Sequence, residues 1–369
     1  GVLTLRANEL VIRNVVFGLN VNVDNAARVL TFNDVPINDH NLEFLSNDYN
    51  FDYNGLVFAG DATLKSPADK VVTLNGTASV SENSTLMLTN EFVGGTFNGD
   101  GGVSLGAVTL TNTRLELEVQ SAANAAVLTN VVATEGIDAT AGSLLVKNGS
   151  LDVASGSIAD AISLENATLK NATTAAVTVL TGAASTLDNV HVGGKLQVDA
   201  GVSASLTNVE IASGQTLEVK ADATATLTTD LVLGGTLTAD GPGEITGAFD
   251  ITGAAVNLQD GILISLATID QAVELVDDSN AILRGVTLNS TVDVNDSNGD
   301  GNLCTTDTKD VLTLDGVTLN DTVNVASNGA ILILGNISGN SVSIGVSANA
   351  TANAIKISGA SINSVTFAG

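Results

Sequence analysis

A short phrase (an aliphatic residue, any residue, then Asn) returns along this chain at a fixed spacing. It reads Leu110-Thr111-Asn112, Leu128-Thr129-Asn130, Val146-Lys147-Asn148 and Leu164-Glu165-Asn166, with each Asn 18 residues after the last. It continues as Leu187-Asp188-Asn189 and Leu206-Thr207-Asn208, at spacings of 23 and 19. A fixed short period is the mark of stacked repeats, each of which can bury its apolar side only against its neighbours. Between the phrases run short alternating segments such as Leu115-Glu116-Leu117-Glu118-Val119 and Thr216-Leu217-Glu218-Val219. Period two with one apolar side is the pattern of a half-buried strand. Together these features predict an all-β chain folded as a parallel β-solenoid, or β-helix, with coils of 18–23 residues.

A second repeat is longer. Leu283-Arg284-Gly285-Val286-Thr287-Leu288-Asn289-Ser290-Thr291-Val292-Asp293-Val294 returns 31 residues later as Leu314-Asp315-Gly316-Val317-Thr318-Leu319-Asn320-Asp321-Thr322-Val323-Asn324-Val325. A coil of about 20 residues plus a loop inserted at 295–309 accounts for the offset. Looser copies are expected from Leu334 to Ile344 and from Ile357 to Phe367. The repeating Asn is expected at a turn, where its amide can bond the Asn of the next coil and satisfy turn amides.

Composition divides the chain. Residues 1–100 hold seven of the nine Phe and both Tyr, and the shift falls in the turn cluster Asn98-Gly99-Asp100-Gly101-Gly102. The expected organisation is therefore an aromatic-richer cap or assembly region over 1–100, then solenoid repeats over 101–369 with the inserted loop. Ile12-Arg13-Asn14-Val15-Val16-Phe17 carries the repeat phrase inside the first region. Its strands can continue the stack, cap it, or add to a neighbouring copy through a segment such as Val2–Phe17.

Charge and chemistry narrow the function. The net charge of -27, with only 13 Lys and Arg, excludes nucleic acid and anionic lipid as natural partners. No stretch reaches the length of a membrane-spanning helix, so no membrane insertion is expected. Cys304 is the single cysteine, which rules out a disulfide within the chain. The absence of a Met or basic leader at Gly1 suggests a processed, extracellular protein. Only His40 and His191 are present, and no nucleophile motif accompanies them, so an acid–base or nucleophilic enzyme is not expected. A polysaccharide lyase or hydrolase on a β-helix would need clustered bases and aromatic platforms, yet Trp is absent and the bases are scattered singly. Thr109-Leu110-Thr111 and Thr224-Ala225-Thr226 have the local form of an ice-binding rank but do not return at coil spacing.

The strongest motif is Asp296-Ser297-Asn298-Gly299-Asp300-Gly301-Asn302-Leu303-Cys304-Thr305-Thr306-Asp307. Calcium takes about six to eight oxygens. Asp296, Asn298 and Asp300 offer side-chain oxygens, Asn302 a backbone carbonyl, and Asp307 closes the loop, while Gly301 permits the bend. These twelve residues resemble the calcium loops of EF-hand-like and dockerin-type repeats, with Asp in place of the usual final Glu and without the flanking helices. The resemblance implies a bound calcium that staples the loop. A weaker candidate for a second ion is the alternation of Asp48, Asn50, Asp52 and Asn54, with Tyr49, Phe51 and Tyr53 expected to pack beneath it.

Asn-x-Ser/Thr sequons occur at Asn75, Asn83, Asn148, Asn166, Asn171, Asn289, Asn320, Asn336 and Asn349, and would offer glycan attachment at a cell surface. Asn148 and Asn166 lie on the repeat itself, where an inward orientation would block modification. In style the chain is similar to secreted β-helix surface proteins of bacteria and archaea: adhesin stalks, filament subunits, and S-layer or sheath components. That resemblance implies an extracellular structural protein whose partner is itself, joined through solenoid ends or an N-terminal strand. The competing class is an adhesin for host or carbohydrate surfaces, with its patch expected in the aromatic-rich residues 44–58.

Overall fold

The computed structural model describes residues 2–5, 9–23, 29–45, 48–122, 126–133, 137, 144–153, 157–159, 161–229, 231–233, 237–247, 250–252, 255–275, 280–296, 311–327, 330–346, 355–358 and 362–368. Among these residues every regular element is a strand, and the strands pair in parallel from coil to coil. The chain is a parallel β-solenoid with coils of about 19 residues, as the repeat phrase predicts. It forms two compact units, Gly1–Val177 and Thr178–Gly369.

In the first unit the phrase explains the coil. Leu110 pairs with Leu128, Leu128 with Val146, and Val146 with Leu164, so four fully buried aliphatics stand in one rank. Two residues on, Asn112, Asn130, Asn148 and Asn166 all adopt left-handed backbone, with φ between 51° and 54°. Such a conformation costs most residues about 1–2 kcal/mol, and Asn is among the few that visit it readily. The left-handed residue ends one strand and redirects the chain into the next, whose first buried residues include Val131 and Ala167. The side chains add a second role. The Asn130 amide donates to the Asn112 Oδ1 at 3.2 Å, and Asn130 Oδ1 accepts from the Ser150 backbone N–H at 3.2 Å. The expected ladder and the expected satisfaction of a turn amide are thus both present at Asn130.

The aromatic residues of the first unit form its early core. Phe32 meets Phe51 edge-on at 5.1 Å, Phe51 lies 4.9 Å from Tyr53, and Phe44 lies 5.5 Å from Phe51. All are buried, each large ring removing apolar area from water at about 25 cal/mol per Å². Room for Tyr53 comes partly from Gly76 beside it, where a Cβ would fall 2.0 Å from the Tyr53 carbonyl oxygen. The strand Tyr49–Ala59 is paired on both edges, with Val29–Asn38 and Val72–Val80. The composition shift at 98–102 falls inside the long strand Thr85–Thr111.

In the second unit the core is almost wholly Leu, Ile, Val and Ala. The long repeat pairs directly with itself: Leu283 with Leu314, Thr287 with Thr318, and Val292 with Val323. An offset of 31 therefore costs the register nothing. The next copy differs by one residue from the expected alignment. Ile333, not Leu334, stands over Leu314, and Leu334 points outward at 42% exposure. The bend at Gly335 follows Leu334, so period two places Ile333 inward. Ile357 and Phe367 pair with Ile333 and Ile344 as the last looser copy predicts. The phrase also changes its final letter in this unit. Leu283-Arg284-Gly285 and Leu314-Asp315-Gly316 place Gly at the left-handed corner, with φ of 61° and 69°. Ile264-Ser265-Leu266 places a Leu there, at φ 63° and 62% exposed.

Candidate functional site

Of the calcium-loop residues, Asp296 ends the strand Val292–Asp296 and pairs with Ser327 of the next coil. Asn298, Asp300, Asn302 and Asp307 lie outside the described residues. The donor set is all oxygen, which suits a hard cation such as calcium. The coil beneath the loop and the coil above it are both held in register, through Val292 on Val323 and Val311 on Ala330. Among the described residues no group of three or more His, Cys, Asp or Glu gathers as a metal site.

The Asp48–Asn54 alternation is placed as expected, with Tyr49, Phe51 and Tyr53 buried and the polar residues outward. Its carboxylates are engaged with the next coil. Asp48 Oδ1 accepts from the Val71 N–H at 2.9 Å and Asp52 Oδ1 from the Asn75 amide at 2.8 Å. The aromatic patch that a carbohydrate-binding reading would draw on is the core itself: Tyr49 and Tyr53 are 2% and 5% exposed. Burial pushes the Tyr53 phenol well above its ordinary range.

His191 points outward from the strand Ala184–Val192 between the buried Val190 and Val192, with Nδ1 3.2 Å from Glu210 of the next coil. His40 follows the left-handed Asp39. His40 belongs to the first unit and His191 to the second. The sequon asparagines Asn148 and Asn166 are exposed, so the inward orientation that would have blocked them does not occur. Asn289 and Asn320 are linked amide to carbonyl at 2.6 Å.

The second unit carries a line of charge across four coils. Gln197 pairs with Glu218, Glu218 with Asp240, and Asp240 with Gln259. Lys195 lies 2.8 Å from Glu218, and Lys220 lies 2.8 Å from Asp199. The Lys220 ammonium, bonded to Asp199, holds that carboxyl below its ordinary range and is itself raised. Asp240 goes the other way. Partial burial raises it, Gln259 pulls against that, and the charges of Asp260 and Glu218 add to the rise. These bonds run between coils and tie them together.

Beside this line lies a surface that was illegible in the sequence. Thr186 pairs with Ser205, Ser205 with Thr226, Thr226 with Thr246, and Thr246 with Ser265. Ser203 pairs with Thr224, and the Thr207 and Thr228 hydroxyls meet at 2.5 Å. The Thr-x-Thr form itself does not return, as expected: Thr224 stands over Ser203 and under Glu244, and only the column of Thr226 keeps its hydroxyls from coil to coil. Coil lengths vary, so the spacings 19, 21, 20 and 19 hide a file of five hydroxyls that the register makes continuous, ending at the buried Ser265. Within Ser203–Thr207 and Thr224–Thr228 there is no charged residue.

No protein-family model, curated protein or solved structure matches the chain.

Proposed function

We propose that the chain is an extracellular, cell-surface structural protein that self-assembles into a filament, sheath or surface layer. Copies join through solenoid ends or an N-terminal strand, and calcium held by Asp296, Asn298, Asp300, Asn302 and Asp307 stiffens the inserted loop. The observation that supports this reading is the coil-on-coil parallel register itself, in which each coil offers the next a strand edge, as with Leu110 on Leu128 and Leu283 on Leu314. Among the described residues Val2–Leu5 pairs only with Asn20–Val23, and Glu9–Arg13 only with Val29–Asn38. Each is paired along one edge among the described residues, beside the exposed Val2, Leu3, Val11, Val15 and Val16. In the second unit the exposed Ile357 and Phe367 likewise sit on strands paired along one edge. A bare parallel edge with apolar neighbours is a template for a further coil. A chain whose product is assembly needs no catalytic pocket, and the polar side chains described above serve cross-coil bonds.

Negative-stain electron microscopy of the purified chain tests the reading, first with calcium and then with a chelator. Particles growing lengthwise with concentration are the expected result, with chelation shortening or softening them. Uniform single particles at every concentration, with and without calcium, would defeat it.

A further inference from the structure

We infer that Asn83 is an attachment site for an Asn-linked glycan, delivered from a lipid-pyrophosphate-linked oligosaccharide by an oligosaccharyltransferase. The inference rests on the cell-surface reading above and deepens it, since such transfer reaches chains that have left the cytosol. It begins from the register. Phe58 pairs with Val80 and Ala62 with Leu86, so the three residues 59–61 face the five residues 81–85 of the next coil. The surplus is taken up in a turn at Glu82 and Asn83, where Asn83 is exposed and left-handed, with φ 57°. Ser84 pins the turn from inside. It is buried, its Oγ accepts from the Gly60 N–H at 2.7 Å, and its N–H donates to the Ser81 carbonyl at 3.1 Å. Thr85 is fixed beside it, its N–H donating to Asp61 Oδ1 at 3.2 Å. Asn83 and Thr85 therefore flank an inward residue, and both reach the surface.

The sequon Asn83-Ser84-Thr85 supplies the chemistry. Asn83 Nδ2 attacks the anomeric carbon of the first sugar and gives up one proton. The bond from that carbon to the pyrophosphate breaks, and the lipid pyrophosphate leaves. The attacking amide must be reachable, and the sugar needs room. Among the described residues the Asn83 side chain has no hydrogen-bond partner. Ser84 is met by a glycine from each neighbouring coil, Gly60 on one side and Gly101 on the other, so the residues touching the turn at that point carry no side chain. The other sequons are spent on cross-coil bonds or crowded. The amides of Asn75, Asn171, Asn289 and Asn320 donate to Asp52, Asp152, Asp270 and Asn289 at 2.8, 3.0, 2.6 and 2.6 Å. Asn148 and Asn166 stand corner on corner at the strand spacing of about 4.8 Å, too close for a sugar ring between them. Ser338, the hydroxyl residue of the Asn336 sequon, shares its hydroxyl with Thr318 at 3.2 Å. Asn349 lies outside the described residues.

The test is glycan transfer to the purified, folded chain by a single-subunit oligosaccharyltransferase that reads Asn-x-Ser/Thr. Peptides of each sequon serve as the unfolded reference, and mass spectrometry reads occupancy site by site. Asn83 is expected to be modified in the folded chain nearly as fast as in its peptide. Asn75, Asn171, Asn289 and Asn320 should each fall at least about fivefold behind theirs, since each must first open a cross-coil hydrogen bond. Asn83→Gln and Thr85→Val should abolish transfer at this turn, and Thr85→Ser should keep it. Three outcomes would each overturn the inference: Asn83 left bare in the folded chain while its peptide is modified, Asn83 no faster relative to its peptide than Asn289 or Asn320, or a Thr85→Val chain still modified there. Chain recovered from the cells that make it separates the two readings. Secreted chain with Asn83 bare would overturn this inference and leave the cell-surface proposal standing. Chain held inside the cell and bare, yet accepting glycan at Asn83 once purified, would sink that proposal and leave the acceptor site standing.

Discussion

The early coils of the first unit and the coils of the second wind the same backbone around different interiors. In the first, Phe32, Phe44, Phe51 and Tyr53 crowd one another at ring distances of 4.9–5.5 Å. In the second, Leu283, Leu314 and Ile333 stack as a plain aliphatic rank. The parallel register is kept in both. What the coil requires is the alternation of inward and outward residues and a corner that can turn left-handed, and the identity of the filling is secondary. Corners differ in the same way. The first unit uses Asn at Asn112, Asn130, Asn148 and Asn166, whereas later coils of the second use Gly at Gly285 and Gly316.

The sharpest way to break the comparison is to empty the two cores. Phe51→Ala should cost about 3–5 kcal/mol, and Leu283→Ala about 2–5 kcal/mol, in denaturant unfolding followed by circular dichroism. In a coil stack each loss should be felt mainly by neighbouring coils, so hydrogen exchange should localise it. If Phe51→Ala proves the milder of the two, the aromatic core is loosely packed and the contrast fails. At the corners, Asn130→Ala removes two cross-coil bonds and forces a Cβ-bearing residue without a local polar partner into left-handed backbone. A loss of about 1–2 kcal/mol is expected. Asn130→Gly should recover much of it, since a Gly corner suffices in the second unit, and thermal melts of the two variants compare them directly.

Leu266 inverts the corner experiment. It is exposed and left-handed, so Leu266→Gly should stabilise by about 0.5–1 kcal/mol, the relieved strain exceeding the extra freedom of the unfolded chain. A destabilised Leu266→Gly would mean that the Leu side chain holds something the strain does not reveal.

The smallest effect is electrostatic. The folded chain raises the Asp240 pKa, so its contribution to stability is fully present below the unfolded value and is lost as pH rises through the folded one. Asp240→Asn should therefore raise the melting temperature at neutral pH, by the equivalent of about 0.5 kcal/mol or less, with the gain vanishing in acid. Asp199 has the opposite sign. Its pKa is lowered beside Lys220, so its small, solvent-screened contribution is present above the unfolded value and fades as pH falls through the folded one.

Much of the fold was legible because its determinants are local. The Asn phrase marks a left-handed corner, alternation marks the strand faces, and the 31-residue repeat pairs Leu283 on Leu314 as its wording implies. Three features escaped for physical reasons. The corner needs a backbone conformation and not one residue type, so the phrase lapses where Gly or Leu266 replaces Asn while the corner persists. The inward residue near Leu334 is set by the bend at Gly335, which moves the rank by one. The hydroxyl file is a property of register between coils of unequal length, and a search at constant spacing passes over it. Of the candidate calcium residues, the strand end at Asp296 is described, and the remainder of the motif rests on its sequence.

The pairing of Leu283 on Leu314 across 31 residues bears on how such a chain can change over generations. A corner that admits about a dozen additional residues without shifting the strands on either side separates growth of the surface from upkeep of the interior. New sequence can enter between coils, be tried and be discarded, while the inherited ladder stays intact. The same insertion is a natural graft point: a foreign peptide exchanged for residues 297–310 should leave Val292 on Val323 and Val311 on Ala330 while removing the calcium response proposed above.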